Sequence, residues 1–181
     1  MMKFSKLSLK DAWQIEPNLF EDSRGTFRRS FCQEIYKEYG IDSDMSQGNI
    51  SENIYKGTLR GFHYQIGEHQ EAKTITCITG SIFDVIIDLR KDSPTYLKHI
   101  SLEISSINKK SIHIPKGCAN AWLTLEPNTI IHYYMSKPYK PGFDCGIRYD
   151  DKFFNVKWPF PPKIISQKDK NYKDFNVSSL P

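Results

Sequence analysis

Short stretches of β-branched and aromatic residues recur along this chain at close intervals, at residues 74–79, 81–89, 99–104, 111–114, 122–125 and 129–135. Between them stand Gly67-Glu68, Thr79-Gly80, Asp92-Ser93-Pro94, Pro115-Lys116-Gly117 and Glu126-Pro127-Asn128, residues that favour turns or interrupt strand pairing. Many short strands at even spacing predict an all-β sandwich or barrel. Helical character is confined to residues 31–39, stopped by Gly40, and to a short segment after Ser166. Helices and strands do not alternate, so a parallel nucleotide-binding sheet is not expected. The prolines that follow Trp158 make the tail, residues 157–181, read as an extended arm on the barrel surface.

The chain has 181 residues, 39% hydrophobic, 25% charged and 13% aromatic, enough for one domain with its own core over 1–181. That composition excludes a disordered tail or a small disulfide scaffold. The longest apolar run, 82–89, is short and broken by Asp84 and Asp88, so no membrane span is expected. The basic start at Met1 to Ser8 has no apolar run behind it, and the chain reads as cytoplasmic. Cys32, Cys77, Cys118 and Cys145 lie far apart and read as free thiols. Twenty-five Lys and Arg against 21 Asp and Glu give a net charge of +4, spread along the chain, with no basic-aromatic strip of the kind that tracks nucleic acid. No Gly-x-Gly occurs, so any nucleotide must be held by side chains.

The densest polar constellation is Gln47, Asn49, Ser51, Arg60, His63, Gln65 and Lys73. In a strand Gln47, Asn49 and Ser51 share one face, which either lines a cavity or is a wet outer face. His69, His99, His113 and His132 sit in polar loops or alternate with isoleucines, which suits solvated or structural roles.

Several strings then run in register: Asp22-Ser23-Arg24-Gly25-Thr26-Phe27; Gln47-x-Asn49-x-Ser51; Gly57-Thr58-Leu59-Arg60-Gly61-Phe62-His63-Tyr64-Gln65; and Lys73. Asp88-Leu89-Arg90, Ser93-Pro94-Thr95, Ile114-Pro115-x-Gly117, Trp158-Pro159 and Ser166-x-Lys168-Asp169 continue them. Over nearly its whole length the chain resembles the dTDP-4-keto-6-deoxysugar 3,5-epimerases. The resemblance implies a cupin-type jelly roll working as a homodimer without metal or other cofactor, with the N-terminal arm 1–30 exchanged between subunits. It implies epimerisation at C3, C5 or both of a nucleotide-diphosphate-linked 4-keto sugar, supplying capsule or lipopolysaccharide synthesis. His63 would be the base, Asp169 the carboxylate that orients it, Lys73 the cation at the developing C4 oxyanion, and Tyr133 the donor on the opposite face. Tyr134 would point to the other side of the strand. Arg24, Phe27, Gln47, Asn49, Arg60 and Lys168 would bind substrate, Arg60 through the diphosphate.

Two positions depart from the family. Asn120-Ala121-Trp122 stands where His-Gly-Phe is usual, and Arg29 where a glutamate is usual. Asn120 can hydrogen-bond the sugar but cannot exchange a proton. Arg29 offers only donors, which suits guanine O6 and N7 better than a thymine N–H, so a GDP-linked hexose or heptose is expected ahead of a dTDP sugar. A metal-dependent cupin is disfavoured because Gln65 and Asn120 occupy places where imidazole ligands would stand. A 3,4-ketoisomerase and a non-catalytic sugar-nucleotide binder are the remaining alternatives.

Overall fold

A computed structural model describes residues 2–179. Met1, Leu180 and Pro181, which belong to the expected N-terminal arm and C-terminal tail, lie outside the described residues. In chain order the elements are β1 (Lys3–Lys6), β2 (Trp13–Glu16), β3 (Leu19–Asp22), β4 (Gly25–Arg28), α1 (Gln33–Glu38), β5 (Gln47–Asn53), β6 (Thr58–Gln65), β7 (Lys73–Thr79) and β8 (Ser81–Asp88). Then follow β9 (His99–Ser105), β10 (Ser111–Ile114), β11 (Cys118–Thr124), β12 (Thr129–Met135), β13 (Asp144–Gly146), β14 (Ile164–Ile165) and α2 (Gln167–Lys170). One sheet has the order β1-β2-β10-β7-β12-β5 and the other β13-β6-β11-β8-β9, with β14 joining β6 in parallel. They form a two-sheet sandwich of the kind the strand pattern predicted, the jelly roll that the resemblance implied.

The interior divides in two. At one end Ile75, Cys77, Ile112 and Ile131 of the first sheet meet Ile82, Ile86, Ile104 and Trp122 of the second, all buried. At the other end the inward positions turn polar. β5 inverts the usual binary pattern: Gln47, Asn49 and Ser51 are half-buried while Gly48, Ile50 and Glu52 are exposed. The polar face of β5 therefore looks inward, and Ile50 is left outside.

The outer faces are covered differently. Tyr36 of α1 packs with Met2, Ile15 and Ile41 against the first sheet. The tail lays Trp158 and Phe175 over Phe62, Val85, Ala121 and Ile147 on the second. The tail is thus no plain extended arm, since its distal part forms β14 and α2. The expected N-terminal arm also divides: β1 and β2 are integral to the first sheet, and only β3 and β4 stand apart as a separate hairpin.

Candidate active site

β6 carries the centre of the site, and the chain there follows from one glycine. Gly61 adopts φ +119°, and a Cβ on it would lie 2.5 Å from the Asn120 carbonyl oxygen and 2.6 Å from the Ala121 Cβ. Only glycine permits both this backbone and so close an approach of β11. The register between β6 and β11 shifts here, so that Asn120 opposes His63 while Trp122 opposes Arg60.

His63 projects from β6 toward α2, where its Nε2 lies 2.7 Å from Asp169 Oδ1. Asp169 Oδ2 accepts from the Gly61 N–H at 3.3 Å. The carboxylate is fixed by its own short helix. Ser166 caps α2 by accepting from the Asp169 backbone N–H at 3.0 Å. The Tyr172 ring beyond α2 sits where a side chain at Gly146 would stand, which docks α2 against β13. Burial pushes the Asp169 carboxyl upward, but the His63 contact and charge, the Gly61 N–H and Ser166 outweigh it and hold the group below its ordinary value. Asp169 is therefore ionised at neutral pH. It accepts the Nε2 proton and leaves Nδ1 as the basic nitrogen of His63.

Three further groups converge on the same cavity of about 660 Å³. Lys73, at the start of β7, is buried, with Nζ 3.0 Å from Glu71 Oε1 and 3.3 Å from the His63 carbonyl oxygen. Tyr133 on β12 lines the cavity beside Trp122, ring centroids 5.9 Å apart. Burial pushes its hydroxyl upward while the Arg60 charge pulls it back, and the net shift is upward. Tyr134 faces the other way, against Phe31 and His132, so the strand parity selects Tyr133. Asn120 is buried, its amide nitrogen donating to both Asp84 carboxyl oxygens at 2.9 Å and to the Val85 carbonyl at 3.2 Å. Its Oδ1 is buried with no partner among the described residues. Burial raises the Asp84 carboxyl to about 8, against the pull of Asn120 and Lys73.

The mouth is more polar. Gln47 Nε2 donates to Asn49 Oδ1 at 2.9 Å, and Gln47 Oε1 accepts from the Tyr139 N–H at 2.8 Å. Arg60 Nε donates to Asn53 Oδ1 at 2.9 Å, which leaves the rest of the exposed guanidinium fork open to a ligand. Lys168 pairs with Asp144 at the rim.

Nine of the twelve residues singled out from the sequence thus line one cavity: His63, Asp169, Lys73, Tyr133, Gln47, Asn49, Arg60, Asn120 and Lys168. The other three do not. Arg24 and Phe27 lie on the β3–β4 hairpin, Arg24 paired with Asp22 and Phe27 71% exposed, and Arg29 is an exposed residue just after it. Glu71, Asp84 and Asp144 also line or border the cavity and were not singled out. Asp84 carried a signal, a carboxylate at an inward position in the middle of a largely apolar strand. Among the described residues no group of three or more His, Cys, Asp or Glu is placed to hold a metal ion, and no helix is long and apolar enough to cross a membrane.

Comparison with known proteins identifies the family and the fold. The model of the dTDP-4-dehydrorhamnose 3,5-epimerase family matches residues 6–176. The dTDP-4-dehydrorhamnose 3,5-epimerase of Methanothermobacter thermautotrophicus is 38% identical over 174 residues, covering 94% of this chain and 93% of its own. The crystal structure of the Bacillus anthracis dTDP-4-dehydrorhamnose 3,5-epimerase with TDP and PPi bound superposes with a TM-score of 0.93 at 35% identity, covering 97% of this chain and 100% of that one. The Legionella pneumophila dTDP-6-deoxy-D-glucose-3,5-epimerase in complex with dTDP-4-keto-L-rhamnose gives 0.92 at 31% identity, covering 100% and 95%. The names of these relatives all refer to dTDP sugars, and the expected preference for GDP finds no support. A role in capsule or lipopolysaccharide synthesis finds none either.

Proposed function

The chain belongs to the dTDP-4-dehydrorhamnose 3,5-epimerase family of isomerases acting on nucleotide-linked sugars, and from that premise we propose that it takes a dTDP-linked 4-keto-6-deoxy sugar and inverts C3 and C5 by proton abstraction and return. The observation that carries this reading is the convergence of the His63–Asp169 pair, Lys73 and Tyr133 on one cavity.

The chemistry follows from the ketone. A C4 carbonyl acidifies the C–H bonds at C3 and C5, and each loss of a proton gives an enolate whose charge rests on O4. His63 Nδ1 takes the proton, and Asp169 stabilises the imidazolium that forms. The Lys73 ammonium meets the O4 charge as it develops, in a buried setting where that interaction is stronger than in water. Tyr133 delivers a proton to the opposite face and is restored from solvent, while His63 releases its own. Asn120 has no proton to exchange, and both its N–H groups are committed to Asp84 and Val85. Both inversions therefore fall to the same His63 and Tyr133.

At the mouth Arg60 and Lys168 are placed for the diphosphate, with Gln47 and Asn49 beside it. Arg24, Phe27 and Arg29 belong to a neighbouring subunit's site in this reading, since they stand away from the cavity of their own chain.

The test is incubation with dTDP-4-keto-6-deoxyglucose and with its GDP counterpart in deuterated water. Deuterium at C3 and C5 of the dTDP sugar, with inversion seen by NMR and the GDP sugar slower, is the expected result. A product with its carbonyl moved to C3, or faster turnover of the GDP sugar, would refute the proposal.

A further inference from the structure

We propose that Glu71 is a positioning residue for the epimerisation, fixing the Lys73 ammonium at the place where the enolate oxygen forms. The inference rests on the reading of Lys73 given above. Lysine has a flexible four-carbon stem, and an ammonium acts on a developing oxyanion only if it is already in place when the charge appears. Here its position is set from two sides. Glu71 Oε1 takes one N–H at 3.0 Å and the His63 carbonyl another at 3.3 Å, which leaves one N–H of the ammonium for a ligand.

Glu71 is itself immobilised. Its side chain is 4% exposed, and Oε2 accepts from Gln65 Nε2 at 3.2 Å. That amide nitrogen also reaches the His69 and Pro138 carbonyls at 3.0 and 3.2 Å, and Gln65 Oε1 accepts from the Lys140 N–H at 2.6 Å. A hydrogen-bonded chain thus runs from the loop after β12 through Gln65 and Glu71 to Lys73. It explains a carboxylate that would otherwise be a costly burial. Glu71 and Lys73 are two residues apart in extended chain, so both side chains emerge on one side of the backbone.

Asp84 does not take this role. It is wholly buried and turned to the Asn120 amide, and it makes no ion pair with Lys73 among the described residues. The other charged and titratable groups lining the same cavity include His63 and Arg60 of β6, Tyr133 of β12, Asp144 and, against His63, Asp169 of α2. None of these supplies a carboxylate contact to Nζ.

The discriminating experiment is a double-mutant cycle read by deuterium incorporation into dTDP-4-keto-6-deoxyglucose, with dTDP binding by calorimetry alongside. Glu71→Ala is expected to lower kcat by about 100-fold, and Glu71→Gln, which keeps an oxygen that can accept from Nζ, by about tenfold, with KM and dTDP affinity within about twofold of wild type. In the Lys73→Ala background the addition of Glu71→Ala is expected to cost less than about twofold, because a residue that acts through Lys73 has nothing left to position. An equal loss in both backgrounds, a loss confined to KM, or wild-type kcat in Glu71→Gln would overturn the inference while leaving the epimerase reading intact. If Glu71→Ala does not fold, Glu71→Gln with and without Lys73→Ala gives the same comparison. A wild-type protein that exchanges no proton of any 4-keto sugar nucleotide would overturn both.

Discussion

An imidazole abstracts a carbon-bound proton efficiently only when its second nitrogen is held by an acceptor that welcomes the resulting charge. In this chain that acceptor comes from 106 residues away along the sequence, and it is kept ionised by its contacts with His63, the Gly61 N–H and Ser166. Replacing Asp169 by Asn should leave dTDP affinity nearly unchanged and lower proton exchange on the order of 100-fold or more, because the amide can also hold the wrong tautomer. The same substitution has a stability signature. Asp169 is depressed below its unfolded value, so its contribution is present above about pH 4 and is lost as pH falls through the native value. Urea unfolding from pH 6 to pH 3 should therefore show a shallower acid slope in Asp169→Asn than in wild type. Equal exchange rates in the two proteins would remove Asp169 from the mechanism.

At the scale of elements, what could be read in advance depended on whether the signal was local. The strands at 74–79, 81–89, 99–104, 111–114 and 129–135 announce themselves by β-branched runs, and they match β7, β8, β9, β10 and β12 to within a residue or two. β11 begins four residues earlier than its aromatic signal, since Cys118-Ala119-Asn120-Ala121 holds no β-branched residue and is made a strand by pairing, with β8 along its full length and with β6 from Asn120 onward. α1 is shorter than residues 31–39 because Cys32 at its N-cap supplies no side-chain hydrogen bond. Whether the polar face of β5 turned inward or outward was undecidable from alternation alone, because either orientation has the same period. Glu71 escaped notice for a related reason: its meaning lies in a contact with Lys73 and a support from Gln65, neither of which has a pattern. Gly61 is the element-scale determinant that can be tested directly. In Gly61→Ala the new Cβ meets the backbone oxygen of Asn120 and the Cα of Ala121, atoms that cannot move without shifting β11, at a φ that alanine avoids. A cost of about 3 kcal/mol or more is expected, seen as a lower urea midpoint, with exchange activity falling as His63 and Asn120 are pushed apart. A variant of wild-type stability would show that β11 yields more easily than its full burial in the second sheet suggests.

For the whole molecule the β3–β4 hairpin is the part that does not close on itself. Leu19, Phe20 and Phe27 are 45%, 59% and 71% exposed, and Phe20 and Phe27, opposite each other across the two strands, have ring centroids 6.4 Å apart. A two-stranded hairpin is marginal in water by itself, and two exposed aromatic rings side by side on one of its faces mark a contact surface more often than a solvent face. The edge strand β5 presents Ile50, 69% exposed, on the outside of the first sheet, with Ile54 at 66% just beyond it. A homodimer in which each hairpin reaches the other subunit would cover both features and bring Arg24, Phe27 and Arg29 toward a cavity they do not reach within their own chain. Sedimentation is expected to give a dimer for the wild type. Phe27→Glu should shift the equilibrium toward monomer and weaken dTDP binding at least tenfold, while leaving the His63–Asp169 pair untouched and unfolding nearly unchanged once measured at concentrations where both proteins are monomeric. A monomeric wild type with full activity, or a Phe27→Glu protein that dimerises and binds dTDP normally, would place the nucleotide site wholly within one chain.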